Sequence, residues 1–485
     1  MLIKKKNRRK LILLLIACLF LQATSVMANE TSAEADAPLI VEPNAEVPVE
    51  SNTEPPPSTS SVGTPEEFGA NAFDTEDDTE ALQQALDTYD TVKLTDGGVY
   101  YISDTLYIKK NQKIYTPEVR ASIIQTVPLA ALSNVPKLKT TLKLNKWLKK
   151  GQSAIQIAAP DSMISDLFES DTVDSNTSEL DIATNDFILM RSDQLWKEDN
   201  RGYLRKGEIH LAQSYTDGLL TLSEDLFDTY YASETVTMNI YEPMTVELDN
   251  IEFKNSTPVF NTLISIWYTQ NSVFKNLNIA NAKEAGIILQ YNYKATIENS
   301  TFHLGITKDD SQTGYGIQDN GGIYTSISEC TFRGVRRGVD LSGNVPNWYS
   351  TVENCEAYGP MNTTQLATGN SGFGTHSTCM YATFRNNYVK GFRQGFALRG
   401  SNLLLENNTV YGNQDYFLQA THGTNITVQK NTYTRFSKKT KLPVFANLTQ
   451  SFSGKIKLIN NQSSPVTKWT SKAKNTSTSG NKTVK

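Results

Sequence analysis

The six residues LENNTV, Leu405–Val410, are one copy of a phrase that occurs nine times between Leu248 and Ser463. Each copy has an apolar residue, a polar residue, a turn-forming residue that is usually Asn and, in most copies, a second apolar residue at its end. The copies are LDNIEF (Leu248), FKNLNI (Phe274), IENSTF (Ile297), ISECTF (Ile327), VENCEA (Val352), FRNNYV (Phe384), LENNTV (Leu405), VQKNTY (Val428) and LINNQS (Leu458). Successive copies begin 21 to 32 residues apart, which indicates a stacked repeat.

The segments around these copies alternate apolar and polar residues and are rich in Val, Ile, Phe, Tyr and Thr. This pattern predicts short strands and tight turns, paired in parallel from coil to coil about 4.8 Å apart. An Asn at the same place in each coil tolerates a left-handed backbone and can bond to its copies, so we expect a structural asparagine ladder. Cys330 and Cys355 share one phase in adjacent coils, which fits either a disulfide or two stacked thiols.

The segment ahead of the repeats is FGANAFDTEDDTEALQQALDTYDTVKLTDGGVYYISDTLYIKKNQKIY, residues 68–115. It resembles the entry segment of the pectate-lyase-like right-handed β-helix superfamily, where an FGA and an Asp-rich turn lead into an amphipathic helix. The resemblance implies an all-β, right-handed, single-stranded parallel β-helix over residues 65–463, with an N-terminal capping helix near Thr79–Tyr89. We expect Leu82, Ala85 and Leu86 to face the open end of the core.

Residues 116–247 are less periodic, and they fit either a small β-subdomain or elaborated coils. Within this region, FILMRSDQLW resembles stretches of phage tail-spike and cell-surface members of the same superfamily. The resemblance implies a glycan-active protein without naming an activity.

The two ends of the chain differ in composition from its middle. Residues 1–28 have the basic start, apolar run and small-residue ending of a secretory signal peptide, although a lipidated Cys18 is an alternative. Residues 29–64 predict an acidic, Pro-rich disordered linker, and residues 464–485 predict a basic disordered tail that could contact an anionic cell wall. We therefore expect a bacterial protein that is secreted or held at the cell surface.

Removal of residues 1–28 leaves 40 Lys and Arg against 51 Asp and Glu, so the formal net charge moves from −5 to −11. An acidic chain lacks the basic surface that nucleic-acid binding needs. No later run of residues is long and apolar enough to cross a bilayer.

The strands that precede the phrases predict one polar face. They are GIILQ (Gly286), GYGIQ (Gly314), GVDLS (Gly338), GFGTH (Gly372), GFALR (Gly395) and DYFLQ (Asp415). Their second and fourth residues are almost all apolar and should face the core, so their fifth residues should form an outward column. That column contains Gln290, Gln318, Ser342, His376, Arg399 and Gln419.

Further charged and aromatic residues should share this face. Asp340 lies one coil before His376, and Trp267 or Tyr268 lies one coil before Gln290. Arg336 and Arg393 share one column, each two residues before the glycine of its strand, and Arg337 is next to Arg336. An extended acidic polysaccharide suits such a face, because aromatic rings stack on sugars, glutamines bond hydroxyls and Arg pairs with carboxylates.

β-Elimination next to a uronate needs a neutralised carboxylate, a base for the C5 proton and an acid for the leaving oxygen. We predict His376 as the base and Arg399, with Arg336 or Arg393, as the neutralising groups. Asp340 would orient the imidazole or bind a cation. The predicted substrate-binding residues are Arg337, Gln290, Gln318, Gln419 and Trp267.

Two other function classes stay open. A non-catalytic surface module could bind glycan or host matrix along the same face. A glycoside hydrolase would need paired carboxylates, such as Asp340 with Asp319 or Asp415. The spaced aspartates of polygalacturonases and the arginine signature and calcium cluster of pectate lyases are absent. Asp309 and Asp310 could ligate Ca²⁺, the one cofactor that the sequence suggests.

Overall fold

The computed structural model of the protein describes residues 61–157, 180–196, 203–306, 313–359, 370–412, 415–435, 444–449 and 451–484. The predicted signal segment, the linker up to residue 60, and Asp309 and Asp310 lie outside these residues. No helix in the described part of the chain is long and apolar enough to cross a membrane.

Three long sheets run through the described residues, and all their strands pair in parallel with strands of neighbouring coils. Sheet A contains Val62–Gly63, Thr91–Lys93, Gln112–Tyr115, Val246–Asp249, Val273–Lys275, Thr296–Glu298, Ser326–Ser328, Thr351–Glu353, Thr383–Arg385, Leu404–Glu406, Ile426–Gln429, Ile456–Ile459 and Thr476–Ser479. Sheet B contains Val99–Ile102, Ala121–Gln125, Ile251–Val259, Asn278–Ala282, Thr301–His303, Thr331–Arg333, Glu356–Tyr358, Tyr388–Lys390, Thr409–Tyr411, Thr432–Thr434, Gln462–Ser463 and Lys482–Thr483. Sheet C contains Leu106–Ile108, Leu132–Asn134, Thr262–Gln270, Ala285–Tyr293, Tyr315–Asn320, Arg337–Ser342, Ser371–Thr375, Gln394–Leu398, Tyr416–Ala420, Val444–Leu448 and Lys468–Thr470. The chain is therefore the predicted single-stranded parallel β-helix.

The repeated phrase marks the corner between sheets A and B. Its first residues pair from coil to coil, from Leu248 to Leu458, and point into the core. Its third residues all have a left-handed backbone, with φ between 45° and 58°. Seven of these nine residues are Asn, which tolerates that conformation better than most residues with a side chain. The predicted turns are confirmed.

The residue after each corner points into the core, and its type changes along the helix. Cys330 and Cys355 occupy this position in adjacent coils as buried free thiols, which is one of the two alternatives that the sequence left open. In the following coils the position is Asn, and each side-chain amide donates to the next at 2.9–3.0 Å. The asparagine ladder comprises Asn387, Asn408, Asn431, Asn461 and Asn481. It lies one residue beyond the corner asparagines, inside the core.

The helix Thr79–Thr88 stands ahead of the first coil, as predicted. Its side chains Ala81, Leu82, Ala85 and Leu86 are buried in the same apolar core as the strands of that coil. Two short 3₁₀ turns, Pro65–Phe68 and Ala473–Asn475, occur near the two ends of the described chain.

An antiparallel sheet, here called the insertion sheet, interrupts the coils between residues 138 and 241. Its strands, in spatial order, are Leu138–Leu144, Val236–Tyr241, Phe187–Leu195, Arg205–Thr216, Leu219–Leu222 and Ala154–Gln156. One of its faces has its own apolar core. The other packs on aromatic residues of the β-helix, including Tyr268, Tyr291 and Trp348.

The prediction of a disordered tail from residue 464 was wrong for the residues that the structure describes. Lys468–Thr470, Thr476–Ser479 and Lys482–Thr483 add one more strand to sheets C, A and B. The Ser and Thr residues of this segment suit strands, and Asn481 continues the asparagine ladder. A polar, basic composition therefore did not exclude a further coil.

Candidate functional site

A column of glycines on sheet C sets the register of the predicted site. Its members are Gly286, Gly316, Gly338, Gly372 and Gly395. A Cβ atom at any of them would lie 2.3–2.8 Å from a core side chain or from the carbonyl oxygen of the next coil. Because a side chain would clash at this position in these five coils, the column fixes which of their strand residues stand side by side.

The register predicted for the strands of sheet C was displaced by two residues in two coils. In GYGIQ, Gly316 rather than Gly314 belongs to the glycine column, so Gln318 pairs with Asp340. Gln419 is displaced by the same slip and joins the column of Asp340 as well. The predicted fifth-position column therefore loses both glutamines, although they still face outward.

Two adjacent outward columns of sheet C carry the predicted residues. The Asp340 column contains Ile288, Gln318, Asp340, Gly374, Ala397 and Gln419. The His376 column contains Trp267, Gln290, Asn320, Ser342 and His376, with Arg399 in the coil after His376. Trp267 precedes His376 by four coils, which is about 19 Å at the usual spacing of parallel strands.

Asp340 is the centre of a buried polar network. Its side chain is 0% exposed. Its Oδ1 accepts a hydrogen bond from Arg337 Nη1 at 2.6 Å, and its Oδ2 lies 3.3 Å from Nε2 of His376. The imidazole keeps 12% of its surface exposed. Gly374, beside Asp340 in the next coil, makes room for the guanidinium, since a Cβ there would lie 2.9 Å from Arg337 Cδ and Nε.

The three arginines predicted to neutralise a carboxylate have different surroundings. Arg336 is buried, and its Nη1 donates to the hydroxyl of Tyr315 at 2.8 Å. Arg393 stands at the same strand position two coils later, where it is exposed and its Nε pairs with Asp415 at 2.5 Å. Arg399 is half-buried, and its backbone N–H donates to Thr375 Oγ1 at 3.0 Å. Arg393 and Arg399 are therefore open to solvent, whereas Arg336 is not.

The residues predicted to contact substrate are covered to different degrees. Trp267 is half-buried, and its indole N–H donates to Ser265 Oγ at 2.9 Å. Gln290 and Gln318 are buried, and Gln419 is half-exposed. The outward columns are thus covered in their middle coils and partly exposed at both ends, at Trp267 and at Gln419.

Asp319, one of the two second acids considered for a hydrolase, points into the core of the β-helix. It pairs with inward positions of sheet C, and its carboxylate accepts from Asn292 Nδ2 at 2.7 Å and Asn347 Nδ2 at 2.6 Å. Burial raises the pKa of Asp319 to about 6, against the effect of these hydrogen bonds. It cannot reach a polymer on the outward face.

The sequence analysis missed one tryptophan and one group of tyrosines. Trp196, directly after an insertion-sheet strand, donates its indole N–H to the backbone oxygen of Ser377 at 3.0 Å. Ser377 follows the predicted base His376, and no periodic pattern in the sequence indicated this contact. The tyrosines are Tyr324, Tyr349 and Tyr381. Each lies three residues before a copy of the phrase, and this spacing could have identified them.

Within the described ranges, no group of three or more His, Cys, Asp or Glu side chains is arranged to hold a metal ion. The calcium prediction concerned Asp309 and Asp310, which are not among those ranges. The outward columns thus offer an imidazole, a carboxylate and guanidinium groups as their chemistry.

A family model described as "Right handed beta helix region" matches residues 219–347 and 315–462, which together span half of the chain. No curated protein matches the sequence.

Several solved structures have a similar fold. The tailspike protein gp49 from Pseudomonas phage LKA1 has a TM-score of 0.58 at 14% identity, over 82% of this chain and 80% of that one. The surface adhesin PfbA of Streptococcus pneumoniae scores 0.48 at 10% identity, over 87% and 97%. The catalytic unit of a GH87 α-1,3-glucanase from Streptomyces thermodiastaticus scores 0.49 at 9% identity, over 88% and 69%. At these identities the likenesses concern the fold alone.

Proposed function

The chain belongs to the right-handed β-helix family, and from this premise we propose that it binds an acidic polysaccharide along sheet C and cleaves it by β-elimination. The predicted signal segment supports a place outside the cell, where such polymers occur. The Asp340 and His376 columns run straight along sheet C, and their partly exposed members, Trp267, His376, Arg399 and Gln419, could contact an extended chain of sugars.

The observation that carries the proposal is the contact between His376 and Asp340, with Arg337 on the far side of the carboxylate. A buried carboxylate 3.3 Å from Nε2 favours the tautomer with the proton on that nitrogen, which leaves the lone pair on Nδ1. Arg337 holds the carboxylate in place at 2.6 Å. His376 is thereby oriented as a general base, and Asp340 and Arg337 are positioning residues.

In the proposed reaction, His376 Nδ1 takes the proton from C5 of a uronate residue. The electron pair of the C5–H bond forms the C4=C5 double bond, the C4–O bond breaks, and the departing oxygen takes up a proton from water. A guanidinium on the uronate carboxylate lowers the cost of the charge that develops there. Arg399, in the coil after His376 and open to solvent, is the group in reach, with Arg393 as a second anion contact.

A binding module without catalysis is the second candidate, and the burial of two arginines favours it. Arg336 and Arg337 are 2% and 1% exposed and bond to Tyr315 and Asp340, so neither guanidinium faces a polymer. A hydrolase is less well supported, because Asp319 lies inside the core and Asp415, the other second acid considered, pairs with Arg393.

The test is to incubate the chain with a panel of anionic polysaccharides and to follow ultraviolet absorbance of unsaturated product together with new reducing ends. His376→Ala should lower the rate by about 100-fold or more, the usual range for loss of a general base. His303→Ala is the matched control, since His303 is exposed on sheet B, and it should leave the rate unchanged.

Reducing ends without absorbance would mean hydrolysis and would overturn the proposed elimination. Retention on the polymer without either signal would mean binding alone. Full activity in His376→Ala, with the fold verified by circular dichroism, would remove His376 from the reaction.

A further inference from the structure

A column of tyrosines forms a corner of the β-helix just before sheet A. Tyr324, Tyr349 and Tyr381 occupy it in three successive coils with φ of 57–59°. Their rings stack with centroids 5.4 and 5.0 Å apart and planes within 19° of each other. The same corner in other coils is Asn271, Lys294, Asn402 or Asn425, also with a left-handed backbone. The turn itself therefore does not require an aromatic residue, and the rings call for a second explanation.

An open cavity of 520 Å³ lies between two of these tyrosines and a loop of the insertion. We call it the tyrosine groove, and its principal lining residues are Lys150, Glu224, Asp225, Phe227, Tyr324 and Tyr349. Phe227 meets Tyr324 and Tyr349 edge-on, with centroids 6.1 and 5.3 Å apart. These aromatic contacts join the two walls, so the groove is held open by packed rings and has the volume of a small-molecule site.

Two carboxylates and two ammonium groups lie at the groove. Tyr293 donates its hydroxyl to Glu224 Oε1 at 2.5 Å, and Lys294 Nζ lies 3.4 Å from the same oxygen. Burial opposes ionisation of Glu224, but hydrogen bonds from Tyr293 and Tyr324 and the charge of Lys294 lower its pKa overall. Burial, and then the contact with Glu224, raise the pKa of Tyr324, so its phenol keeps its proton as a donor. Asp225 is exposed on the same loop.

We propose that the tyrosine groove binds an uncharged sugar residue. The ring edges of Tyr324 and Tyr349, together with Phe227, provide an apolar wall for the C–H groups of a pyranose. The carboxylate of Asp225 can accept a hydroxyl proton, and the phenol of Tyr349 and the ammonium of Lys150 can donate. The carboxylates of Glu224 and Asp225 are matched by the ammonium groups of Lys150 and Lys294, so the groove has no excess positive charge to attract an anionic sugar. Its ligand therefore differs in charge from the acidic chain proposed for sheet C, and binding here does not depend on catalysis at His376.

The test is binding of the full chain to an immobilised panel of neutral, acidic and amino-sugar oligosaccharides. The unaltered chain should bind one or more neutral members, and Tyr349→Ala should weaken that binding about tenfold or more, because it removes part of the apolar wall and a hydroxyl group. Tyr388→Ala is the matched control, a half-buried tyrosine on sheet B that is remote from the lining, and it should bind as the unaltered chain does.

Two further variants separate the outcomes. Asp225→Asn changes an exposed position without disturbing packing, and it should weaken neutral-sugar binding severalfold even where Tyr349→Ala fails to fold. His376→Ala should keep neutral-sugar binding in full, so the failure of the proposed lyase would leave this inference intact. Binding of acidic or amino sugars alone, of no sugar, or unchanged neutral binding in both Tyr349→Ala and Asp225→Asn would overturn it.

Discussion

Replacement of Asn408 by Ala tests whether the asparagine ladder holds the coils together. The Oδ1 atom of Asn408 accepts from the backbone N–H and from Nδ2 of Asn387, both at 3.0 Å. Its Nδ2 donates to Phe384 O and to Asn431 Oδ1, both at 2.9 Å. Four hydrogen bonds across three coils thus depend on one buried side chain.

The expected loss in the free energy of unfolding can be worked out from the hydrogen bonds that Asn408→Ala removes. Ala at position 408 leaves the buried backbone N–H of Asn387 without its acceptor, whereas Asn387 Nδ2 keeps its bond to Val352 O. A buried polar group without a partner costs about 1–3 kcal/mol, and the lost side-chain bonds add about 1 kcal/mol each. We expect a loss of about 3–5 kcal/mol in the free energy of unfolding. Asn407→Ala, at the exposed corner with φ of 55°, should cost only about 1 kcal/mol.

The assay compares the denaturation midpoints of Asn408→Ala and Asn407→Ala with that of the unaltered chain, alongside hydrogen exchange of the Asn387 amide. In a stacked repeat each coil is stabilised by its neighbours, so the loss should also appear as faster exchange in the coils on either side. Equal midpoints for the two variants, or an Asn387 amide that stays protected in Asn408→Ala, would refute the argument.

Two further substitutions test the interior of sheet C and the site. Because the pKa of Asp319 is raised to about 6, the folded chain holds its proton more tightly than the unfolded chain, and stability should fall by about 3 kcal/mol as pH rises from about 4 to about 6. Asp319→Asn should remove that fall, which melting curves at both ends of the range would reveal, and an unchanged pH profile would contradict it. Gly374→Ala should push Arg337 away from Asp340 and lower the elimination rate about tenfold or more, with little change in melting temperature, since Ala397 occupies the same position one coil later. An unchanged rate would mean that Arg337 is not needed to position the carboxylate.

The fold was predictable because the phrase LENNTV and its copies combine an inward apolar residue with a left-handed corner, and both are local properties. The register of sheet C was harder to predict from the sequence than the fold. GYGIQ has two glycines, and only the packing of Phe332 against Gly316 decides which one belongs to the column. Asp319 lies on the inward face of the same strand, where amides from other coils donate hydrogen bonds to it. These positions are fixed by contacts between coils, so the sequence of a single strand does not reveal them.

The insertion sheet was not predictable from periodicity, and it determines where the site is open. Its aromatic face covers the corners at Tyr268, Tyr291 and Trp348, beside the coils where Gln290 and Gln318 are buried. Trp196 reaches the backbone of Ser377, so the cover extends to the residue after His376. Beyond it, Arg399 and Gln419 are open to solvent. A polymer on sheet C, as proposed, would be excluded from the covered middle coils and would have its reacting residue at the edge of the cover, where His376 keeps one exposed side.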